Sequence, residues 1–348
     1  MIFTPSSVIV GIPVRDEEAL LFACLDALRH QQSAQWTIDI ILLFDGCEDA
    51  GLDLAKRYQQ AFPSVRLHIA EQSRSAKPHA GRARQAALDL CYHLCTEPAR
   101  TIIATTDADS IVAPDWVERN VAALRTAHVA AGWARLADVE NVAPRRAQLE
   151  SYWNKLHRLR CEIDPISYDP YPSHRYIGGA SLAFHAAVYP ELRSSLLRVS
   201  GEDEAFVHAA RLAGYKIRCD PEIAVETSAR LIGRATHGLA DALVGNSKEA
   251  TQKRKVMVMC PLAAAAKYRR QAEARRAWQE GDQPGIAKFI GAITPKSAAL
   301  QAKAAMARSA DAFVQLTVPD RDPVAKRVEI SKAMAILRDI ETEMAAAA

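Results

Sequence analysis

The stretch Thr101–Ser110 reads TIIATTDADS, an apolar, β-branched run that ends in two aspartates. Such a run predicts a buried β-strand over Thr101–Thr106. Two runs of the same kind precede it in the chain, at Ser7–Ile12 and Ile38–Phe44, and a weaker one lies at Val65–Ala70. Strands that are apolar throughout and separated by helices favour a parallel sheet covered on both faces. We therefore predict an α/β, doubly wound core, whose ligands bind beyond the carboxyl ends of the strands.

Helical patterns follow each of these runs and dominate the end of the chain. The four predicted helices of the first part cover Glu17–His30, Asp49–Ala61, Gly81–Leu94 and Asp115–Ala127. Past about residue 236, residues with helical spacing prevail, as in Ala298–Arg308 and Ala325–Ala346. We predict a sheet domain over residues 1–236 and a helical C-terminal region over 237–348, which packs on the core or in a homodimer.

Composition narrows the class of protein. Of the 348 residues, 49% are hydrophobic and 24% are charged, which is typical of a globular protein. The net charge of +3 gives no reason to expect nucleic-acid binding. The seven cysteines lack zinc-knuckle spacing, and neither a signal peptide nor a run of roughly 18 apolar residues is present. We expect reduced thiols, no transmembrane segment and a cytoplasmic location.

Acidic residues follow the predicted strands. Asp45 ends the second strand, and Asp107 and Asp109 follow the fourth, whereas Glu17 lies in a first helical turn where acids are normal dipole complements. In an extended chain, residues two apart point to the same side, about 6–7 Å apart. Asp107 and Asp109 could therefore converge on one Mg²⁺ or Mn²⁺ ion that bridges them to a diphosphate, although short acidic turns are usually solvated.

Two basic features accompany the acids. Arg84 lies just after Gly81, at the start of a predicted helix, where backbone N–H groups and cations suit a diphosphate; a solvated basic face is the alternative. Residues 145–175 are rich in arginine and aromatic side chains, among them Trp153 and Arg175. This stretch forms either a lid over an acceptor, where aromatic faces stack on sugars, or a packed loop with solvated arginines.

The order of the motifs resembles a known family. They are IPVRDEE at 12–18, LLFDGCEDAG at 42–51, TTDADS at 105–110, GGASLAF at 178–184 and GEDE at 201–204. Together, over roughly residues 6–240, they resemble a family 2 glycosyltransferase of GT-A fold. That resemblance implies a Rossmann-like, mixed but mainly parallel sheet. The second motif departs from the family pattern, because Phe44 replaces the first of two usual acids and Cys47 and Glu48 replace Ser and Thr.

The resemblance also implies roles for individual residues. It places the nucleotide beside Pro13, Val14, Glu17 and Ala108, and its uracil or guanine base on Asp45. Asp107 faces the ribose or the metal, Asp109 binds the metal and His237 is its third ligand. Gly178, Gly179 and Ala180 form the floor of the sugar and acceptor site. Asp203, next to Glu202, is the general base; the alternative is that both acids only favour the start of a helix.

The implied function is metal-dependent transfer of a sugar from a UDP- or GDP-sugar to a small, unidentified acceptor hydroxyl, with inversion through Asp203. Two alternatives stay open at this point. The first is a nucleotidyltransferase of related fold, although such an enzyme normally has a Gly-rich basic first loop where this chain has IPVRDEE. The second is a module that binds a nucleotide sugar without turning it over.

Overall fold

The computed structural model describes residues 3–31, 36–73, 79–136, 144–198, 201–228, 255–293, 297–320 and 326–347. The chain divides into two compact units. The sheet unit comprises Met1–Glu140, Tyr176–Ala209 and Lys216–Val244, and the helical unit comprises Asn141–Arg175, Ala210–Tyr215 and Gly245–Ala348. The helical unit thus also contains residues 141–175, which the sequence assigned to the first domain. The predicted boundary at residue 236 lies outside the described residues and stays a prediction.

The described strands of the sheet unit form one sheet. They are β1 Ser7–Val14, β2 Thr37–Asp45, β3 Arg66–Gln72, β4 Thr101–Thr105, β5 Ser110–Val112, β6 Val129–Leu136, β7 Leu182–His185 and β8 Ile217–Thr227. Their order is β3-β2-β1-β4-β7-β6-β8-β5. The neighbours β3-β2-β1-β4 and β6-β8 are parallel, whereas β7 pairs with β4 and β6, and β5 with β8, in antiparallel fashion. The prediction of a mixed, mainly parallel sheet is confirmed.

Twelve α-helices lie within the described residues. They are α1 Glu18–Arg29, α2 Gly51–Ala61, α3 Ala80–Leu94, α4 Trp116–Ala123, α5 Pro144–Ile163, α6 Tyr189–Leu192, α7 Glu202–Leu212, α8 Pro261–Glu280, α9 Gln283–Gly291, α10 Ala298–Ala305, α11 Ala310–Thr317 and α12 Ile330–Ala347. The first three helices match their sequence predictions to within two residues. Helix α4 ends four residues before the predicted Ala127, because the chain turns after Ala123. No helix among the described residues is long and apolar enough to cross a membrane.

The core of the sheet unit explains why the first strands are apolar throughout. β1 lies between β2 and β4 in the sheet, and its consecutive residues Ile9 and Val10, which point to opposite faces, are both buried, so both faces are covered. Gly11 allows α3 to approach β1 closely, because a Cβ there would lie 2.7 Å from the sulfur of Cys91. This packing fixes the carboxyl ends of β1, β2 and β4 against one another at one edge of the sheet.

The helical unit has its own apolar core. Tyr152, Leu156 and Leu159 of α5 pack in one cluster with residues of α8 and α12. A small antiparallel pair, β9 Met257–Met259 with β10 Arg327–Glu329, was not expected from the sequence. Because β10 pairs with β9, the last helix starts at Ile330 and not at the predicted residue 325. The helical C-terminal region is confirmed; a homodimer stays a prediction.

Candidate active site

The carboxyl ends of four parallel strands place polar side chains along one edge of the sheet. Arg15 follows β1, Asp45 ends β2, Gln72 ends β3 and Asp107 follows β4. Asp45 is buried and accepts hydrogen bonds from Gln72 Nε2 at 2.9 Å and from Arg15 Nη1 at 3.4 Å. Neither donor was singled out from the sequence. The pairing of Gln72 with Asp45 follows from the register of β2 on β3, which opposes these two residues.

The loops after β1 and β2 hold each other in place. Asp16, at a φ of 50°, accepts the N–H of Glu48 at 2.7 Å. The Asp49 carboxylate accepts the N–H of Glu18 at 2.8 Å, and the Glu18 carboxylate accepts the N–H of Ala50 at 2.9 Å. Each acid therefore satisfies a backbone donor near the start of the other's helix, which is a structural role. Ligand atoms of Asp16, Cys47 and Asp49 also lie within 4.8 Å of one another, but these loop contacts already use all three side chains.

Pro13, Val14 and Glu17 also lie at this edge. Pro13 and Val14 are the last residues of β1, and Glu17 directly precedes α1. Val14 and Glu17 are buried, whereas Pro13 is partly exposed. Their predicted contact with a nucleotide is compatible with this position and stays a prediction.

The turn between β4 and β5 carries the Asp107-Ala108-Asp109 motif. Ala108 is buried, whereas Asp107 and Asp109 are partly exposed. Burial, followed by the charges of Asp109, Asp107 and Glu17, raises the pKa of the buried Cys24 thiol, so all three carboxylates act on the same thiol. Partly exposed carboxylate oxygens from two of these acids are ligands that Mg²⁺ and Mn²⁺ prefer, so the donor set fits such an ion. The third predicted ligand, His237, lies outside the described residues.

Arg84 connects this turn to the rest of the site. Its buried guanidinium donates to Asp107 Oδ1 at 2.8 Å, to Thr105 Oγ1 and the Gly179 carbonyl at 3.0 Å, and to Glu202 Oε1 at 3.3 Å. Although burial alone would lower the pKa of Arg84, the charges of Asp107 and Glu202 raise it, which keeps the side chain cationic. The predicted contact of Arg84 with a diphosphate stays a prediction; the contacts described here join protein groups from four separate segments.

The turn at Gly178, Gly179 and Ala180 is buried and requires small residues. A Cβ on Gly179 would lie 2.3 Å from the guanidinium carbon of Arg84. Two contacts of the next residue hold the turn: Ser181 Oγ accepts from the indole N–H of Trp116 at 2.8 Å, and its carbonyl accepts the N–H of Gly132 at 2.9 Å. Sequence reasoning did not single out Trp116, because its partner lies 65 positions away.

Glu202 and Asp203 begin α7, directly after Gly201, whose φ of 65° turns the chain into the helix. Asp203 Oδ2 accepts the N–H of Gly179 at 2.8 Å, and Oδ1 accepts the N–H of Glu204 at 2.8 Å. Burial first, and then the charge of Glu202, raises the pKa of Asp203 to about 6. A carboxylate with a pKa near neutrality is suited to take a proton from a substrate hydroxyl.

Trp153 and Arg175 belong to the helical unit. The guanidinium of Arg175 lies 5.2 Å from the centre of the Trp153 ring, and Arg158 lies 5.9 Å from the ring of Tyr171. Between α5 and β7, residues 164–181 form neither helix nor strand, as the prolines predicted. These cation–π contacts join the stretch to α5, and its predicted contact with an acceptor stays a prediction.

Comparison with known proteins adds a family match. The model of the family described as "Glycosyl transferase family 2" matches residues 9–186, just over half of the chain. This range includes most of β1, all of β2 to β7, the Asp107–Asp109 turn and the Gly178–Ala180 turn. No curated protein matches the chain.

Solved structures with similar folds include several sugar-transferring enzymes. The mannosyltransferase PcManGT of Pyrobaculum calidifontis, in complex with GDP-Man and Mn²⁺, is 17% identical, with 90% of this chain and 86% of that chain covered and a TM-score of 0.46. TarS 1–349 of S. aureus, in complex with UDP-GlcNAc, is 12% identical, with 90% of each chain covered and a TM-score of 0.47. Glucosyl-3-phosphoglycerate synthase of Mycobacterium tuberculosis is 14% identical, with 74% and 84% covered and a TM-score of 0.40. Such distant likenesses carry no argument about donor, metal or acceptor.

Proposed function

Because the chain belongs to glycosyl transferase family 2 and is therefore a glycosyltransferase, we propose that it moves a sugar from a nucleotide-diphosphate sugar to the hydroxyl of a small acceptor, with a divalent cation and with inversion. One observation carries the proposal. Arg84 and Gly179 connect the predicted cation-binding turn to the predicted general base, Asp203. Arg84 donates to Asp107 and to the Gly179 carbonyl, and the Gly179 N–H donates to Asp203.

On the donor side, the site offers carboxylates that can hold a cation, and acceptor oxygens for a nucleotide base. A Mg²⁺ or Mn²⁺ ion held by Asp107 and Asp109 would neutralise charge on the leaving diphosphate. Arg84 fixes the orientation of Asp107 and compensates part of the negative charge there. Asp45, at the end of β2, offers acceptor oxygens for the N–H groups of a base.

On the acceptor side, Asp203 takes the hydroxyl proton. As the acceptor oxygen bonds to the anomeric carbon, the bond from that carbon to the diphosphate oxygen breaks, and the proton moves to a carboxylate oxygen of Asp203. With a pKa of about 6, Asp203 is mostly ionised at neutral pH. The Gly179 and Glu204 N–H groups hold both oxygens in place. A single displacement of this kind inverts the anomeric carbon.

The first test is a thermal-shift screen of the full chain with UDP, GDP and their sugars, each with Mn²⁺, Mg²⁺ or EDTA. We expect stabilisation by one of these nucleotide classes, abolished by EDTA and by Asp109→Ala. Glu118→Ala is the matched control, since it removes an exposed acid of α4. No stabilisation of the folded protein by any nucleotide would refute the proposal.

A turnover assay separates the two alternatives. Release of nucleoside diphosphate from a nucleotide sugar, stimulated by an acceptor, is expected of the transferase. Formation of pyrophosphate from a nucleoside triphosphate and a sugar phosphate would instead indicate a nucleotidyltransferase. Binding of a nucleotide sugar without turnover across a broad acceptor panel would favour the non-catalytic module.

A further inference from the structure

Two aromatic side chains of the sheet unit lie at the edge that carries the Asp107–Asp109 turn. β6 runs parallel to β4, because β7 lies between them and is antiparallel to both. The carboxyl end of β6 therefore meets this same edge, and Trp133 lies in the second half of β6. Tyr176 precedes the Gly178–Ala180 turn by two residues. The centres of the two rings are 6.1 Å apart, and their planes are inclined by 58°.

An irregularity of the sheet determines where Trp133 points. The register of β6 on β8 shifts directly before this residue, since Gly132 pairs with Asp220 and Trp133 with Ala224. A Cβ on Gly132 would lie 2.2 Å from the carbonyl oxygen of Ile223, so this close approach requires glycine. Irregularities of this kind re-aim a side chain and are frequent beside active sites. Trp133 follows four buried residues of β6 and is itself partly exposed, so the strand leaves the core at this point.

Tyr176 covers the backbone of the turn that contacts the proposed general base. A Cβ on Gly178 would lie 2.6 Å from the hydroxyl oxygen of Tyr176 and 2.7 Å from its Cε1, so only glycine lets the phenol ring lie against this backbone. The next residue, Gly179, donates its N–H to Asp203 Oδ2 at 2.8 Å. Tyr176 is 36% exposed. A partly exposed aromatic ring thus lies one residue from the group that holds Asp203.

The chemistry of the two rings suits one class of acceptor. An indole and a phenol offer broad apolar faces together with one N–H and one hydroxyl group. A pyranose ring is complementary to this surface, because its C–H groups form an apolar face and its hydroxyls form a polar rim. A small acyclic acid has no such face, and neither ring supplies a cation for a carboxylate or a phosphate.

We propose that Trp133 and Tyr176 form an aromatic platform for the acceptor, which is therefore a sugar or a glycoside. The ring face of the acceptor packs on the platform while one of its hydroxyls reaches Asp203. This inference rests on the proposed function, because it names the acceptor class of the same transfer. Trp133 and Tyr176 are specificity-determining residues, and the proton is taken by Asp203.

The first test compares acceptors with the full chain, Mn²⁺ and UDP-glucose, UDP-GlcNAc or GDP-mannose. The acceptors are the methyl glycosides of glucose, galactose, mannose and N-acetylglucosamine on one side, and lactate, glycerate and glycerol phosphate on the other. We expect at least one glycoside to raise the release of nucleoside diphosphate about tenfold or more over the rate without acceptor. Absence of stimulation by every glycoside would overturn the inference. The proposed function would then stand if an acyclic hydroxyl stimulates release, and would fall if no nucleotide stabilises the chain.

Variants of the two rings test the platform itself. Trp133→Leu and Tyr176→Leu should each raise the KM for the glycoside about 3- to 10-fold, the size of effect that a lost ring contact produces, while the KM for the donor stays unchanged. Tyr176→Phe keeps the ring and should raise the acceptor KM much less. Phe22→Leu removes an exposed ring of α1 and is the matched control. An unaltered acceptor KM in both leucine variants, or an equal rise in the KM of donor and acceptor, would overturn the inference.

Discussion

Each unit of the molecule contains a buried arginine that binds two acidic side chains from distant positions. In the sheet unit Arg84 binds Asp107 and Glu202, and in the helical unit Arg275 binds Asp164 and Asp311. Arg275 donates through Nε and Nη2 to both oxygens of Asp164, a bidentate pair. Arg84 instead divides its donors among four groups.

The two arginines differ in what remains accessible around them. The side chains of Asp164 and Asp311 are 3% and 15% exposed, whereas that of Asp107 is 35% exposed. The Arg275 pair is therefore closed to ligands and joins the end of α5 to the start of α11 and to α8. The Arg84 network leaves one acid partly open and touches the turn that binds Asp203. We therefore expect the same chemistry to serve stability in the helical unit and the arrangement of the proposed site in the sheet unit.

The largest effect is expected from the acid that the Arg84 network positions. Asp203→Asn removes the proton acceptor but keeps the size of the side chain, so turnover should fall about 10²- to 10⁴-fold. Nucleotide affinity, measured by calorimetry, should stay close to that of the unaltered chain. Glu204→Gln, an exposed neighbour on α7, is the control. If turnover survives Asp203→Asn, another residue is the general base, and the Arg84 network would not differ from the Arg275 network in serving catalysis.

The opposite pattern is expected in the helical unit. Arg275→Met leaves the buried carboxylate of Asp164 and the largely buried one of Asp311 without their cation, which should lower the free energy of unfolding by about 3–5 kcal/mol. Urea denaturation measures the loss, and hydrogen exchange of peptides from α5 and α11 locates it. Arg276→Met removes an exposed guanidinium one position away and should change little. If Arg275→Met is as stable as the unaltered chain, the ion pairs of Arg275 with Asp164 and Asp311 are not mainly structural.

The sequence predicted the parts of the site that are local in the chain. Long apolar runs identified β1 to β4, and acids at the ends of β2 and β4 were singled out because each follows its strand directly. Strands of three or four residues, such as β5, β7 and β9, were missed because so short a segment carries no periodicity. The partners of Arg84 lie 23, 95 and 118 positions away, so no local pattern could reveal them.

The same limit explains Arg15 and Gln72. Arg15 lies within a quoted motif, whereas Gln72 lies in none. The contact of Gln72 with Asp45 depends on the register of β2 on β3, and that of Arg15 on the register of β1 on β2; a shift by one residue would turn these side chains to the other face of the sheet. The motif order added Asp203 as a candidate, and assigned roles to Asp45 and Asp109, through a family resemblance. The contacts that join these residues depend on how the strands and helices pack, which the sequence pattern does not show.

A third prediction separates the two arginines by chemistry. Arg84→Lys keeps the charge but loses the planar fork, so it cannot hold Asp107, Gly179 and Glu202 together. Turnover should fall about 10²-fold, the size of effect that a misplaced catalytic group produces, while the thermal midpoint changes less than in Arg275→Met. Arg82→Lys, an exposed residue of the same helix, serves as the reference. If Arg84→Lys lowers the thermal midpoint as much as Arg275→Met does and leaves turnover nearly unchanged, the role of Arg84 is structural, like that of Arg275.

The smallest expected effect is a shift in the pH dependence of turnover. Because the pKa of Asp203 is about 6, turnover should fall about tenfold for each pH unit below that value, where the carboxyl is protonated. The raised pKa also means that the folded protein binds more protons than the unfolded chain between pH 3.8 and about 6. The contribution of Asp203 to stability is therefore greatest below this window and declines as the pH rises through it, so an acid loss of activity does not report unfolding at this residue.

Glu202→Gln tests the cause of that pKa. The charge of Glu202 raises the pKa of Asp203, so its removal should move the acid midpoint of turnover to lower pH, whereas Glu204→Gln should leave it in place. The measurement is a pH–rate profile at saturating donor for each variant. If the acid midpoint of turnover instead moves to higher pH in Glu202→Gln, Arg84 has moved and no longer lowers the pKa of Asp203. Glu202 would then act on Asp203 mainly by holding Arg84 in place and less through its own charge.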